Sequence, residues 1–342
     1  MRTAMATAAV DDDVIDKDPT VERLETLTAE ILGKEAALFM PSGTMTNQIA
    51  VRLHCKPGEE FLCEAGCHIY NYEQGAFAQL SGVVARTVIG HDNILQTDDV
   101  AGLIRPENEH LVRTKMICLE NTHNRGGGRI LPYDSVAEVC QWARNHQLST
   151  HLDGARLFNA VMGSNISASD WAQHFDTVSV CFSKGLGAPV GSALAGTKEA
   201  MYEAHRHRKL FGGAMRQSGI IAAGALYALE HNIERIAEDH TNAQIIATAI
   251  RQADGLSLAT NDVDSNIIIF DIDPDVCDAS GFVGAMAEEG VLLIGLGPQT
   301  MRIVTHLDVS QEDCQTAAGT LLRTVSELAD GSRKPVQSGA VY

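Results

Sequence analysis

The sequence predicts an α/β protein: a large domain on a mostly parallel sheet, followed by a smaller α+β domain. Three observations carry this. Short apolar runs rich in β-forming residues alternate with helical stretches from about residue 36 to residue 182. Glycines and small residues follow several of those runs directly. The alternation breaks near residue 230, and a compact set of helices and strands runs on to about residue 328. The expected division is 1–230 for an N-terminal arm with the large domain, 231–330 for the small domain and 331–342 for a frayed polar tail.

Each element has its own signature. Asp18-Pro-Thr-Val opens a helix, with Pro19 and Thr20 in the first turn and Gly33 past its end. Val21, Leu24, Leu27 and Ile31 give that helix one apolar face. Residues 36–40 read as a buried strand, Pro41-Ser-Gly-Thr as a turn and 45–55 as a helix. Strands follow near 60–65, 83–89, 115–119, 149–153 and 177–182, and 132–147 is the clearest helix between them. A return strand starts within 188–192. Right-handed crossovers bring the carboxyl ends of parallel strands to one edge, where α/β proteins bind ligands. Past the break come a helix at 232–253, a strand at 266–272 and a helix at 280–289; strands at 291–294 and 301–306 and a helix at 311–328 complete the chain.

Composition excludes several classes of function. The 342 residues carry 26 basic and 44 acidic side chains, a net charge of −18 that disfavours nucleic acid and anionic membranes. His205-Arg-His-Arg-Lys209, with Arg216 nearby, is the local exception, either a solvated helix face or a small anion site. No apolar run is long enough to span a bilayer, and the opening residues lack a secretory pattern. The eight cysteines sit mostly in apolar patterns, as free thiols do in a reducing, cytoplasmic setting. Cys63, Cys67 and His68 have no second cluster to complete a zinc site, so no metal is expected.

Four features fall at strand ends. Ser42-Gly43-Thr44 could cap a helix or cradle a phosphate on free backbone N–H groups. Asp153, in His151-Leu-Asp-Gly-Ala-Arg156, could cap the next helix or point its carboxylate at a ligand cation. Lys184, in Phe182-Ser-Lys-Gly-Leu-Gly, could snorkel to water or act as a nucleophilic amine. His68 could be a core residue or stack on a flat ring. A lysine and an aspartate at the ends of nearby strands, with an anion cradle, suit pyridoxal 5'-phosphate: the lysine forms a Schiff base and the aspartate keeps the pyridine nitrogen protonated.

Seven stretches together resemble one family: FMPSGTMTNQ (39–48), HIYNYEQGA (68–76), LENTHNRGGGR (119–129), HLDGARLFNA (151–160), FSKGLGAPVGS (182–192), GGAMRQSG (212–219) and RIVTHLDVS (302–310). They are similar to the low-specificity L-threonine aldolases, of the β-eliminating lyase group of fold-type I pyridoxal-phosphate enzymes, along residues 1–328. The resemblance implies retro-aldol cleavage of β-hydroxy-α-amino acids to glycine and an aldehyde. It implies a Schiff base on Lys184, a pyridine-nitrogen partner in Asp153, ring stacking by His68 and a phosphate site at Ser42, Gly43 and Thr44. Lys209 and Arg216 of a neighbouring subunit would help hold the phosphate. Arg156 and Arg302 would hold the substrate carboxylate or the cofactor phenolate, with Tyr72 also facing substrate. His123 and His68 would position the base. A homotetramer with sites at dimer interfaces is implied as well.

Two departures from the family pattern concern the active-site wall. The Met1 segment matches the stretch just after the family's usual opening, whose serine helps hold the substrate carboxylate. Ile15 and Asp16 stand where the family has a tyrosine and a glycine. The competing expectations are another pyridoxal-phosphate lyase that eliminates a β-substituent, and a weakly catalytic pyridoxal-phosphate-binding protein.

Overall fold

The computed structural model describes residues 1–336 and divides them into two compact units. The first unit comprises residues 1–125 and 130–234; the second comprises 126–129 and the chain from 235 on.

In the first unit, a short helix α1 (Arg2–Ala6) and an irregular arm lead into α2 (Pro19–Leu32). Strands β1 (Ala36–Met40), β2 (Glu60–Glu64), β3 (Val84–Val88), β4 (Thr114–Glu120), β5 (Ser149–Gly154), β6 (Thr177–Cys181) and β7 (Ser192–Gly196) form one sheet in the order β1-β7-β6-β5-β4-β2-β3. Neighbours from β3 through β6 are parallel, while β7 runs antiparallel to both β6 and β1. The carboxyl ends of β1 through β6 therefore share one edge. Helices α3 (Gly43–His54), α4 (His68–Asn71), α5 (Ala76–Ser81), α6 (Thr97–Val100), α7 (Tyr133–Asn145), α8 (Leu157–Ser164), α9 (Ala168–Ala172), α10 (Lys198–Leu210) and α11 (Gly219–His231) connect and cover the strands. Strands β2, β6 and β7 are buried along their whole length, as parallel sheets covered on both faces require. The predicted strands agree with β1 to β6 to within a residue or two at each end.

The second unit joins α12 (Ile236–Gln252), β8 (Leu256–Leu258), β9 (Ile267–Ile272), α13 (Ala279–Glu288), β10 (Ile294–Gly295), β11 (Thr300–Val304) and α14 (Gln311–Ala329). Its antiparallel sheet has the order β10-β11-β9-β8. Phe270, Phe282, Met286 and Met301 centre its core. Gly128 belongs here: its φ of 71° suits glycine, and its carbonyl accepts from Ser265 Oγ at 2.7 Å.

Three expectations shift. The helix expected from 232 starts at Ile236, because Asn232 turns its amide back to the Leu186 carbonyl at 2.7 Å. The strand expected at 291–294 is only Ile294–Gly295, and edge strand β8 was not foreseen, its three residues being too few to show a period. The tail expected to fray from 331 is held over 331–336: Arg333 ion-pairs with Glu288 and Glu289 and donates to the Ala285 carbonyl. Residues 337–342 of that expectation lie outside the described residues.

Asp18 shows how the arm is fixed. Fully buried, its carboxylate accepts backbone N–H groups from Thr20 and Val21, capping α2, and from Asp11 and Gly219 as well. Asp18→Ala strands four donors, so we expect a loss of about 2–4 kcal/mol of stability, read by denaturant titration. The basic run on α10 resolves as mostly solvated, with one exception. Arg208 is buried, donating to the Phe39 carbonyl at 2.8 Å and pairing with Asp13 at 3.2 Å.

Candidate active site

The shared sheet edge collects the chemistry. Glu64 ends β2, Glu120 ends β4, Asp153 lies at the end of β5, and Lys184 follows β6 by three residues. Helix α3 begins just past β1, with Ser42 as its cap: Ser42 Oγ accepts the Met45 N–H at 3.3 Å. The capping reading of Ser42 thus holds. The N–H groups of Gly43 and Thr44 make no hydrogen bond among the described residues, so the helix start keeps two donors for an anion.

Residues Ser42, Gly43, Thr44, His68, Asp153 and Lys184 line one cavity of about 260 Å³. The α3 backbone must come close here, since a Cβ on Gly43 would sit 2.7 Å from Cys181 Sγ. Lys184 is half-buried, and its amine has no hydrogen-bond or ion-pair partner among the described residues. Asp153 is 2% exposed; its Oδ1 accepts the Ala155 N–H at 3.1 Å and its Oδ2 accepts Asn47 Nδ2 at 2.8 Å. Burial pushes the Asp153 carboxyl up, but the Lys184 and His68 charges and the Asn47 hydrogen bond together hold it below the usual range. An ionised, dry carboxylate therefore faces the cavity.

His68 opens α4, its N–H donating to Glu120 Oε2 at 2.6 Å, and its Nδ1 lies 3.0 Å from Glu73 Oε1. Burial lowers the affinity of His68 for a proton, yet the hydrogen bond to Glu73 and the charge of Asp153 outweigh it and raise its pKa. The Tyr72 ring lies 5.6 Å from the His68 ring, and Arg125 sits 5.6 Å over the Tyr72 ring. Cys63 and Cys67 pack in an apolar cluster with Cys118 while His68 turns to Glu73, so the three do not gather as metal ligands.

His123 is buried, with Nε2 3.1 Å from Glu64 Oε2. Burial opposes its protonation, but Glu64 and Glu120 raise its pKa; burial likewise opposes ionisation of Glu64, whose pKa His123 lowers on balance. His123 thus contributes stability fully below the ordinary imidazole value of about 6.5 and loses it as pH rises through the raised value. Glu64 contributes fully above about 4.3 and loses it as pH falls through the lowered value. The pair should stabilise most between those two values. Glu64→Gln should lower the melting temperature most inside that window, remove the decline on either side of it, and lower the His123 midpoint in a proton NMR titration.

The remaining expected residues are spread out. Arg156 is half-buried, with Glu120, Cys181 and Asp153 the charges acting on it. Arg302 lies on β11 of the second unit, paired in register with Ile269 and Ile294. Lys209 is exposed on α10, Arg216 is exposed and paired with Asp12 at 2.7 Å, and neither lines the cavity of its own chain. Ile15 is 78% exposed and also stands off that cavity.

A family model described as beta-eliminating lyase matches residues 1–273. The chain belongs to the beta-eliminating lyase family. It is 40% identical over 319 residues to a low-specificity L-threonine aldolase of Escherichia coli (strain K12), covering 93% of each. Low-specificity L-threonine aldolase 1 of Arabidopsis thaliana is 38% identical over 338 residues, covering 97% of this chain and 94% of that one. A solved Leishmania major threonine aldolase shares the fold at a TM-score of 0.80, with 22% identity over 90% of each chain.

The lyase is thus a fold-type I, pyridoxal-phosphate-dependent enzyme, and no helix among its described residues is long and apolar enough to cross a membrane. Its cavity fits that cofactor: two N–H donors at a helix start and a Lys184 amine that are unspent among the described residues, a buried anionic Asp153 and a flat His68 ring. Sequence reasoning missed Asn47, Glu73 and Glu120, which hold the site residues in place. Glu73 lay within the quoted HIYNYEQGA stretch, five positions after His68, but nothing local marks it as buried.

Proposed function

We propose that this lyase cleaves L-threonine, L-allo-threonine and other β-hydroxy-α-amino acids to glycine and an aldehyde. The observation that carries the reading is the Lys184 amine, without a hydrogen-bond or ion-pair partner among the described residues, sharing one cavity with the buried, ionised Asp153. When bound, pyridoxal phosphate supplies an electron sink for the carbanion left as the Cα–Cβ bond breaks. Lys184 would hold the cofactor covalently. Asp153 would hold a proton on the ring nitrogen. Ser42, Gly43 and Thr44 would hold the phosphate. His68 would lie against the ring, its Nδ1 committed to Glu73. Arg156 would offer a planar fork to the substrate carboxylate, and Tyr72 would face substrate. His123, together with His68, positions the group that takes the β-hydroxyl proton.

In this reading the active enzyme is a cytosolic homotetramer whose sites lie at dimer interfaces. Its support is the exposure of Lys209 and Arg216, away from their own cavity, and of the apolar Ile15, Tyr202 and Leu210. Seven buried free thiols suit a reducing compartment. A light-scattering mass of four chains is expected; a stable, active monomer removes the shared-site reading.

The deciding experiment combines an absorbance scan with product analysis on L-threonine, L-allo-threonine and phenylserine. Glycine and the matching aldehyde are expected in equal amounts. A 2-oxo acid in their place assigns a β-elimination instead. A bound cofactor with no turnover of any of the three leaves only a binding protein.

A further inference from the structure

A polar strip runs beneath the cavity where an apolar interface would be expected. Helix α3 packs on the sheet, and its Thr46, Asn47 and His54 meet Ser179, Asp153, His151 and Thr177 of β5 and β6. Thr46 Oγ1 lies 2.5 Å from Ser179 Oγ, and His151 pairs in register with Thr177 as Asp153 does with Ser179. Asn47, His151, Asp153 and Thr177 are each 2% exposed or less. Burying so many polar groups is costly unless all are paired in a set direction.

That direction follows from one atom. Asn47 Nδ2 donates to Asp153 Oδ2 and to Glu73 Oε1, both at 2.8 Å. The other atom of the amide, Oδ1, accepts, so His151 Nε2, 3.2 Å away, carries the proton. Burial keeps His151 neutral, with its pKa pushed down to about 4, so its Nδ1 is bare and accepts from the Thr177 hydroxyl at 2.9 Å. The Thr177 oxygen in turn accepts from His54 Nε2, also at 2.9 Å. Every donor from His54 to Asn47 points toward the two carboxylates. An Asn47 amide turned the other way would present an oxygen to the ionised Asp153.

We propose that Asn47 and His151 are positioning residues: His151 fixes which way the Asn47 amide faces, and the amide holds Asp153 against the cofactor nitrogen and Glu73 against His68. The inference rests on the functional reading above for the partner of Asp153. Asn47 lines the cavity but spends its amide nitrogen on the two carboxyl groups, and His151 does not line it.

The test uses the holoenzyme and two readouts other than turnover: the dissociation constant for pyridoxal phosphate, and the pH midpoint of the absorbance of the lysine-linked cofactor. His151→Leu should weaken cofactor binding by roughly 10- to 100-fold, the effect of one lost hydrogen bond to a charged group. It should also raise the midpoint, because a ring nitrogen less firmly protonated repels the lysine-linked proton less. His151→Gln offers one donor and one acceptor in similar positions and should return both readouts most of the way. Thr177→Val, nearly isosteric, should shift both in the same direction as His151→Leu and serves if the leucine variant does not fold. Wild-type values for both readouts in a folded His151→Leu or Thr177→Val protein overturn the proposal. Wild-type protein that takes up cofactor with no lysine-linked band instead overturns the functional reading beneath it.

Discussion

Lys184→Ala is expected to reduce aldehyde release from L-threonine by at least about 10³-fold while leaving the protein folded and able to take up pyridoxal phosphate. The magnitude follows from removal of the proposed covalent anchor; retention of the fold follows from a side chain that makes no hydrogen bond or ion pair among the described residues. The phosphate cradle proposed at Gly43 and Thr44 is untouched, so the cofactor should still bind, reversibly. Borohydride followed by mass spectrometry should tag Lys184 in wild type and leave the variant untagged. A tag on another lysine, or near wild-type turnover, would end the assignment. One electrostatic side effect is also expected. Lys184 helps lower the pKa of Asp153 and opposes protonation of His68, so its removal should raise both.

Asp153→Ala should cost about 10³-fold in turnover, since the ring nitrogen would lose the anion proposed to keep its proton. Asp153→Asn separates charge from shape. Its carbonyl oxygen can still accept from Asn47, so a similar loss in this variant assigns the effect to charge, and near wild-type turnover in either variant refutes the role. His68 supplies a second reading. Asp153 is among the groups that raise its pKa, so the His68 midpoint should fall in both variants. Of the two, the alanine variant should be the less stable, because it leaves buried N–H groups of Asn47 and Ala155 without an acceptor.

The strands and the residues at their ends were legible because each depends on local pattern. A run such as Thr177–Cys181 is short, apolar and β-forming, and Lys184 beyond it is conspicuous as a long cation next to glycines. Asp153 stood out in the same way. The supporting residues did not. Asn47 and His54 read locally as polar residues on an amphipathic helix, and Thr177 as an ordinary strand residue. Their burial comes from strand order, which sets β5 and β6 side by side beneath α3. Glu64 and His123 are 59 residues apart, and no spacing rule pairs them. The tail misled for a related reason: Arg333 is held by acidic side chains of α13 that lie more than forty positions earlier.

By itself, the sequence determined the α/β class, the places where chain direction changes and the amine, carboxylate and small-residue turn that suit one cofactor. Those features depend on period, turn chemistry and side-chain type within a few residues. Only the tertiary structure decided which polar groups are dry, which way their hydrogen bonds run, and that Asp153 stays ionised when burial alone would protonate it. A pKa and a donor direction depend on every charge and dipole within several ångströms, and those neighbours come from strands and helices far apart in the chain.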